Sequence, residues 1–144
     1  MVRQLKRPAN INGHAAPEPL VIVFVVWPDQ TWGALTSPPD HAAWNDIIGA
    51  RWATTVPVLS KHSCHRAAQA EGMRLAVWHA AEADGEPPNA YACALTGAVV
   101  RGPALVFGHR GYSTVSIPDA VAGALNADLG GFAGDQPVEI RERR

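Results

Sequence analysis

Residues Leu20–Trp27, LVIVFVVW, are apolar at every position and rich in Val and Ile. A strand with one wet face alternates apolar and polar side chains. An unbroken apolar run of this length therefore predicts a strand covered on both faces, in the middle of a sheet. The run is far short of the roughly 20 residues that a membrane-spanning helix needs. Pro28-Asp29 closes it, and no glycine-rich phosphate loop follows, which argues against a doubly wound nucleotide-binding fold.

The rest of the chain supplies partners for that strand. A short paired strand is expected around Thr31–Leu35. Ser37-Pro38-Pro39-Asp40 is a helix start, with Ser37 or Asp40 as the cap. Trp44, Ile47 and Ile48 then share one helix face, and Gly49 ends the helix. Trp52–Leu59 is rich in β-branched residues, and Pro57 confines that strand to an edge or a bulge. His62 to Gly72, HSCHRAAQAEG, reads as a short helix or loop. Met73–His79 is a strand with Met73, Leu75 and Val77 on one face and Trp78 on the other, followed by an acidic, solvated turn.

Asn89 is placed to cap a small helix over Ala90–Thr96, with Gly97 at its end. Ala104–Phe107 and Tyr112–Ile117 predict a hairpin across Gly108-His109-Arg110-Gly111. Pro118-Asp119 opens a last helix to about Leu129, with Val121, Leu125 and Leu129 in line, and Gly130, Gly131 and Gly134 loosen the chain before a final strand at Val138–Arg141. Strands and helices without regular βαβ alternation predict an α+β fold: one domain, a largely antiparallel sheet and two or three short helices packed on it. That domain is expected over 20–144, behind a flexible, proline-punctuated leader over 1–19 and with a loosely attached tail over 130–144.

Three of these pieces, in this order, resemble a known family. They are the helix and strand of WNDIIGARWATTVPV, the strand Met73–His79 with its acidic loop, and PNAYACALTG followed by VVRGPALVFG and STVSIPD. Together they look like the domain of unknown function 3846, found in bacteriophages, plasmids and actinobacteria. The resemblance covers roughly residues 20–125 and implies a small mobile-element accessory protein in the host cytoplasm. It brings no catalytic residues to transfer. The proline-rich leader, the HSCHR segment and the arginine-ended tail depart from the family's pattern.

Charge and cysteine usage narrow the function classes. The net charge is −1, so there is no global basic field of the kind that drives non-specific nucleic-acid binding. Basic residues gather instead at the ends, Arg3, Lys6 and Arg7, then Arg141, Arg143 and Arg144, where they read as solvated termini or as arms for an acidic partner. Only 17% of residues are charged and 47% are hydrophobic, which favours a compact globule that buries surface in a homo-oligomer. The two cysteines, Cys64 and Cys93, form no disulfide framework, and the expected location is the cytoplasm, with no membrane contact.

Candidate sites follow from residue type. His62, Cys64 and His65 approach a metal cluster but lack the two-residue gap that lets paired ligands converge, so no metal and no cofactor is expected. Cys64 adjoins Lys61, His65 and Arg66, which would favour a thiolate; paired with His65 or His109 it defines an alternative, a small Cys/His-dependent enzyme. The glycine-flanked tip carrying His109, Arg110 and Tyr112 is suited to hold an anion, with Arg101 from a neighbouring loop and Trp32 as the likeliest exposed tryptophan of five. The leading expectation is a non-enzymatic binding protein whose partner is a host protein or a small anionic ligand. A further alternative is a nucleic-acid-interacting or antirestriction protein working through the arginine-rich termini.

Overall fold

The computed structural model describes residues 19–135. All of the expected 1–19 leader but residue 19, the basic arms at both ends and the expected strand at Val138–Arg141 lie outside the described residues.

The apolar run forms strand β1, Val21–Val26, and turns back at once into β2, Trp32–Ser37, paired from Val21 with Ser37 to Val26 with Trp32. Helix α1, His41–Ile48, starts at Asp40, whose side chain accepts from the Ala42 N–H, and ends at Gly49 with φ 69°. Of the two expected caps, Asp40 fills the role; the Ser37 hydroxyl donates to the Pro38 carbonyl. Strand β3, Ala53–Pro57, is followed by α2, Ser63–Ala70, and β4, Arg74–Ala80. Helix α3, Ala90–Thr96, is capped by Asn89 and precedes β5, Ala104–Arg110, and β6, Ser113–Val115. Helix α4, Asp119–Asp135, completes the order.

Every strand pairing is antiparallel, in the order β2-β1-β5-β4-β3, with β6 added to β5. The α+β expectation holds, with four helices among the described residues where two or three were expected. β3, the proline-bearing strand, is an edge, because proline has no N–H to donate to a further neighbour.

Alternation along the strands divides the interior into two layers. On one face Trp44 and Ile48 of α1 meet Val21, Val23, Ala76, Leu105 and Phe107. On the other, α2, α3 and α4 bring Cys64, Ala68, Tyr91, Leu95, Val121, Leu125 and Leu129 against Phe24, Val26, Leu75, Val77, Ala104 and Val106. Burying a leucine such as Leu125 or Leu129 completely contributes on the order of 1.5–3 kcal/mol. Strands β1 and β5 therefore carry apolar residues on both sides, as the unbroken run at Leu20–Trp27 predicts.

Two boundaries differ from expectation. Gly108, His109 and Arg110 belong to β5, and the turn is the two residues Gly111-Tyr112, set by the pairing of Arg110 with Ser113 and by Gly111 at φ 59°. Helix α4 continues through Gly130 and Gly131 to Asp135. Each mid-helix glycine costs about 1 kcal/mol. Phe132 offsets this by packing edge-on against His62, with ring centroids 5.5 Å apart, and against Tyr91 at 6.0 Å.

Candidate functional site

The four loops that contain residues 27–31, 49–52, 81–89 and 97–103 meet at one end of the sheet. The register fixes this: Val26 and His79 both face Ala104, and Ala53 faces Ala80, so these strand ends lie side by side. Asn89 ties the loops together. It is fully buried; its Nδ2 donates to the Val26 carbonyl at 3.0 Å and to the Gly102 carbonyl at 2.8 Å, while its Oδ1 accepts from the Ala92 N–H. One side chain thus caps α3 and joins β1 to the loop before β5.

Arg101 is held in that loop by backbone bonds on both sides. Pro88 bridges to Arg101, the Gly102 N–H donates to the Pro87 carbonyl at 2.9 Å, and Arg101 Nη1 donates to the Glu86 carbonyl at 3.2 Å. The Glu86 side chain lies over Gly102, where an added Cβ would come within 3.3 Å of Glu86 Oε1.

Two clefts share Arg101, Ala80 and Ala83. The larger, about 410 Å³, is lined by Arg51, Glu82, Glu86 and Arg101 among the backbone of residues 48–50 and 102–103. Among the described residues Arg51 has no hydrogen-bond or ion-pair partner. The smaller, about 190 Å³, is lined by His79, Asp84, Val99 and Arg101. His79 is 7% exposed; its Nδ1 bonds the Ala80 carbonyl at 3.1 Å, and its buried Nε2 has no partner among the described residues. Burial holds the His79 pKa below its ordinary value, with the Ala80 bond opposing, so the ring is neutral near neutral pH. A backbone carbonyl only accepts, so the proton sits on Nδ1 and Nε2 keeps its lone pair.

No family model, no curated protein and no solved structure matches this chain. The chemistry of the site has to be read from its own geometry.

The residues singled out in the sequence fall in three places. His109, Arg110 and Tyr112 come together at the β5–β6 turn, at the end of β5 opposite Arg101, a separation of about 20 Å along the strand. Arg101 therefore does not join the hairpin tip. At that tip, His109 Nδ1 bonds the Gly111 carbonyl at 3.1 Å, Arg110 Nη2 donates to the Glu71 carbonyl at 3.0 Å, and Tyr112 is fully exposed. Arg110 closes the C-terminal end of α2, so part of its donor capacity serves the fold.

Trp32 stands apart on β2, half-buried, donating from Nε1 to Asn126 Oδ1 at 2.9 Å and meeting Tyr91 edge-on. The most exposed tryptophan is Trp52, at 62%, because the strand begins one residue later, at Ala53; Trp27, just past the end of β1, is exposed as well.

Cys64 differs from expectation as well. Burial first, and the nearby Asp128 second, push its thiol up, opposite to the lowering expected from Lys61, His65 and Arg66. A buried thiol held protonated is a poor nucleophile. His109 is no partner for it, since His109 shares the α1 face with Phe107 while Cys64 packs on the opposite face. His62 bonds the Ala94 carbonyl at 2.9 Å, and among the described residues no group of three metal-ligating side chains forms.

Sequence reading missed Arg51, Asp84 and the two glutamates, because the acidic stretch looked like any solvated turn. For His79 a signal existed. It keeps the parity of Leu75 and Val77, so alternation alone puts an imidazole on a buried face.

Proposed function

We propose that this chain is a binding protein, not an enzyme, and that it holds a small anionic ligand at the Arg101 end of the sheet. The observation that carries this reading is the convergence of Arg51 and Arg101 on one cleft of about 410 Å³. That volume lies in the usual range for small-molecule sites, roughly 300–1,000 Å³. Guanidinium groups suit carboxylate and phosphate because their donors form a planar fork. The raised Cys64 thiol weighs against the alternative of thiol-dependent catalysis. Calorimetry with simple carboxylates and inorganic phosphate tests the reading. Binding that Arg101→Ala weakens supports it; binding that is indifferent to Arg101→Ala, or no binding at all, overturns it.

A second reading has its own observation, the edge of β2 that no strand among the described residues covers. Its sequence WGALTS contains no charge and no proline, the devices that usually protect an edge strand, whereas the opposite edge β3 carries Pro57. Beside it, Val25, Trp27, Leu35 and Ile47 line a shallow groove of about 240 Å³. We infer that two copies of the chain pair through β2, extending the sheet across a two-fold axis. Sedimentation of the full chain checks this: a concentration-dependent dimer supports it, and a monomer throughout overturns it.

A further inference from the structure

We infer that the two-fold pair of chains has one register, in which Ala34 of each copy lies opposite Ala34 of the other and Leu35 of each seats in the groove beside the other's Gly33. The inference deepens the β2-pairing reading and rests on it. The backbone decides which groups the edge offers. In an antiparallel ladder only alternate pairs exchange hydrogen bonds, so alternate residues of an edge strand turn their N–H and C=O outward. The Trp27 N–H donates to the Thr31 carbonyl at 2.8 Å, and this pair continues the β1–β2 register. The bonded pairs are therefore Val25 with Gly33, Val23 with Leu35 and Val21 with Ser37. Ile22 agrees: its N–H and carbonyl engage Ser116 and Ile117, on the side away from β2. Trp32, Ala34 and Thr36 thus carry the outward groups, and among the described residues no strand covers them.

An antiparallel pair of copies uses all three residues in one alignment alone. With Ala34 against Ala34, Trp32 falls against Thr36 and Thr36 against Trp32, and these pairs exchange about six hydrogen bonds. Sliding the copies by two residues one way sets Thr36 against Gln30, a turn residue at φ 70° whose N–H already donates to the Trp27 carbonyl. Sliding them the other way sets Trp32 against Pro38, which has no N–H. A slip of one residue sets outward groups against inward ones. The side chains select the same alignment. It places Leu35 opposite Gly33 on the α1 side, the side of Val23. Gly33 has room there, since an added Cβ meets nothing within 4 Å. It also lines the groove whose walls include Val25, Trp27 and Ile47. The exposed Leu35 of one copy thus finds an apolar seat beside a residue that has no side chain of its own.

The test uses the full chain with one added cysteine at a time, a mild oxidant such as oxidised glutathione, and mass spectrometry to identify the joined residues. Directly opposed residues have Cα atoms about 4.5–5.5 Å apart, inside the range of about 4.4–6.8 Å that a disulfide spans. Diagonal neighbours, about 7–8 Å apart, lie beyond it. Positions 33, 34 and 35 are all exposed, so the substitutions leave the core intact. Ala34→Cys is expected to join to its own copy. Gly33→Cys and Leu35→Cys are each expected to stay unjoined alone and to join to one another when the two variants are mixed. A link from Gly33→Cys to itself, or from Leu35→Cys to itself, is the mark of a two-residue slide; it overturns the register while the dimer stands. A dimer in sedimentation that joins at none of these positions overturns pairing through β2. A chain that sediments as a monomer and forms no link overturns the register and the dimer together.

Discussion

Asp128 of α4 accepts from the Ser63 hydroxyl at 2.6 Å and from the Cys64 N–H at 2.8 Å, so one helix supplies the N-terminal cap of another. His62, at the cap position of α2, makes no capping bond with its own side chain. The missing acceptor arrives from a residue 64 positions further along. The contact fastens α4 to α2 and fixes the depth at which Cys64 is buried.

Replacing Asp128 with Ala is expected to destabilise the fold by about 1–2 kcal/mol, the usual cost of losing a cap, and Asp128→Asn by less because an acceptor remains. Denaturant unfolding monitored by tryptophan fluorescence measures both. Burial raises the Asp128 pKa, but the bonds from Ser63 and Cys64, together with the charge of His62, outweigh it and hold the carboxyl below its usual 3.8. A depressed carboxyl contributes stability above the unfolded value, and that stability is lost as pH falls from about 3.8 through the folded value. The gap between wild type and Asp128→Ala should therefore close in acid; a gap that persists in strong acid contradicts the assignment.

Thiol labelling should separate the two cysteines. Cys64 is fully buried with a raised thiol, so it is expected to react only as fast as the protein unfolds. Cys93 is half-buried, with its sulfur between the Val100 N–H and carbonyl, and should react first. Prompt labelling of Cys64 in the native protein would return the thiol-enzyme alternative to consideration.

Local signals proved readable and long-range ones did not. Asp40, Gly49, Asn89 and Gly97 mark helix ends through contacts within a few residues, and the structure uses all four as the sequence suggests. Pro57 declares an edge because its missing N–H is a property of one residue. The cap from Asp128 to Cys64, the two further bonds of Asn89, and the shared cleft of Arg51 and Arg101 depend on where distant segments meet. Nothing near Arg101 in the chain says that it stands beside Arg51 and away from Arg110. The hairpin tip drew attention because glycines flank it, but those glycines serve the turn and the close packing of Met73.

Gly108 tests that last point. A Cβ at this position would overlap Met73 Cε and lie 3.2 Å from the Val115 carbonyl oxygen. The methionine end can swing away; the paired backbone of β6 cannot without opening the hairpin. Gly108→Ala is expected to cost about 1–3 kcal/mol, the range for overpacking, and thermal unfolding reads it directly. Gly33, where an added Cβ meets nothing within 4 Å, serves as the control, and Gly33→Ala should be close to neutral.

His79 should make the fold sensitive to mild acid. Burial lowers its folded pKa below the unfolded 6.5, so between those two values the unfolded chain binds more protons than the folded one. Stability is then full above about 6.5 and declines as pH falls toward the folded value. The uncharged neighbours across the sheet, Thr54 and Ala104, give no compensation; Asp84 and Arg101, which share its cleft, bear opposite charges. His79→Gln, which does not titrate, should flatten the stability profile below about pH 6.5. An unchanged profile would assign the acid sensitivity elsewhere.

The β2 edge yields the prediction with the widest reach. In an antiparallel pair of β2 strands the free backbone groups of each copy would satisfy those of the other, and Leu35, now 38% exposed, would gain apolar cover on the α1 side. Leu35 lies opposite Val23 on β1, a residue already buried, so its own exposed surface is not needed to hold the monomer together. Leu35→Lys should therefore leave far-UV circular dichroism and unfolding nearly unchanged, within about 0.5 kcal/mol, because exposed substitutions rarely cost more. The same change sets a like charge on each copy at the shared edge and should convert a dimer to a monomer in sedimentation. Thr54→Lys on β3 provides the matched control, since that edge is already guarded by Pro57 and is expected to leave the association state untouched. A dimer indifferent to Leu35→Lys but broken by Thr54→Lys would move the interface to the opposite edge of the sheet.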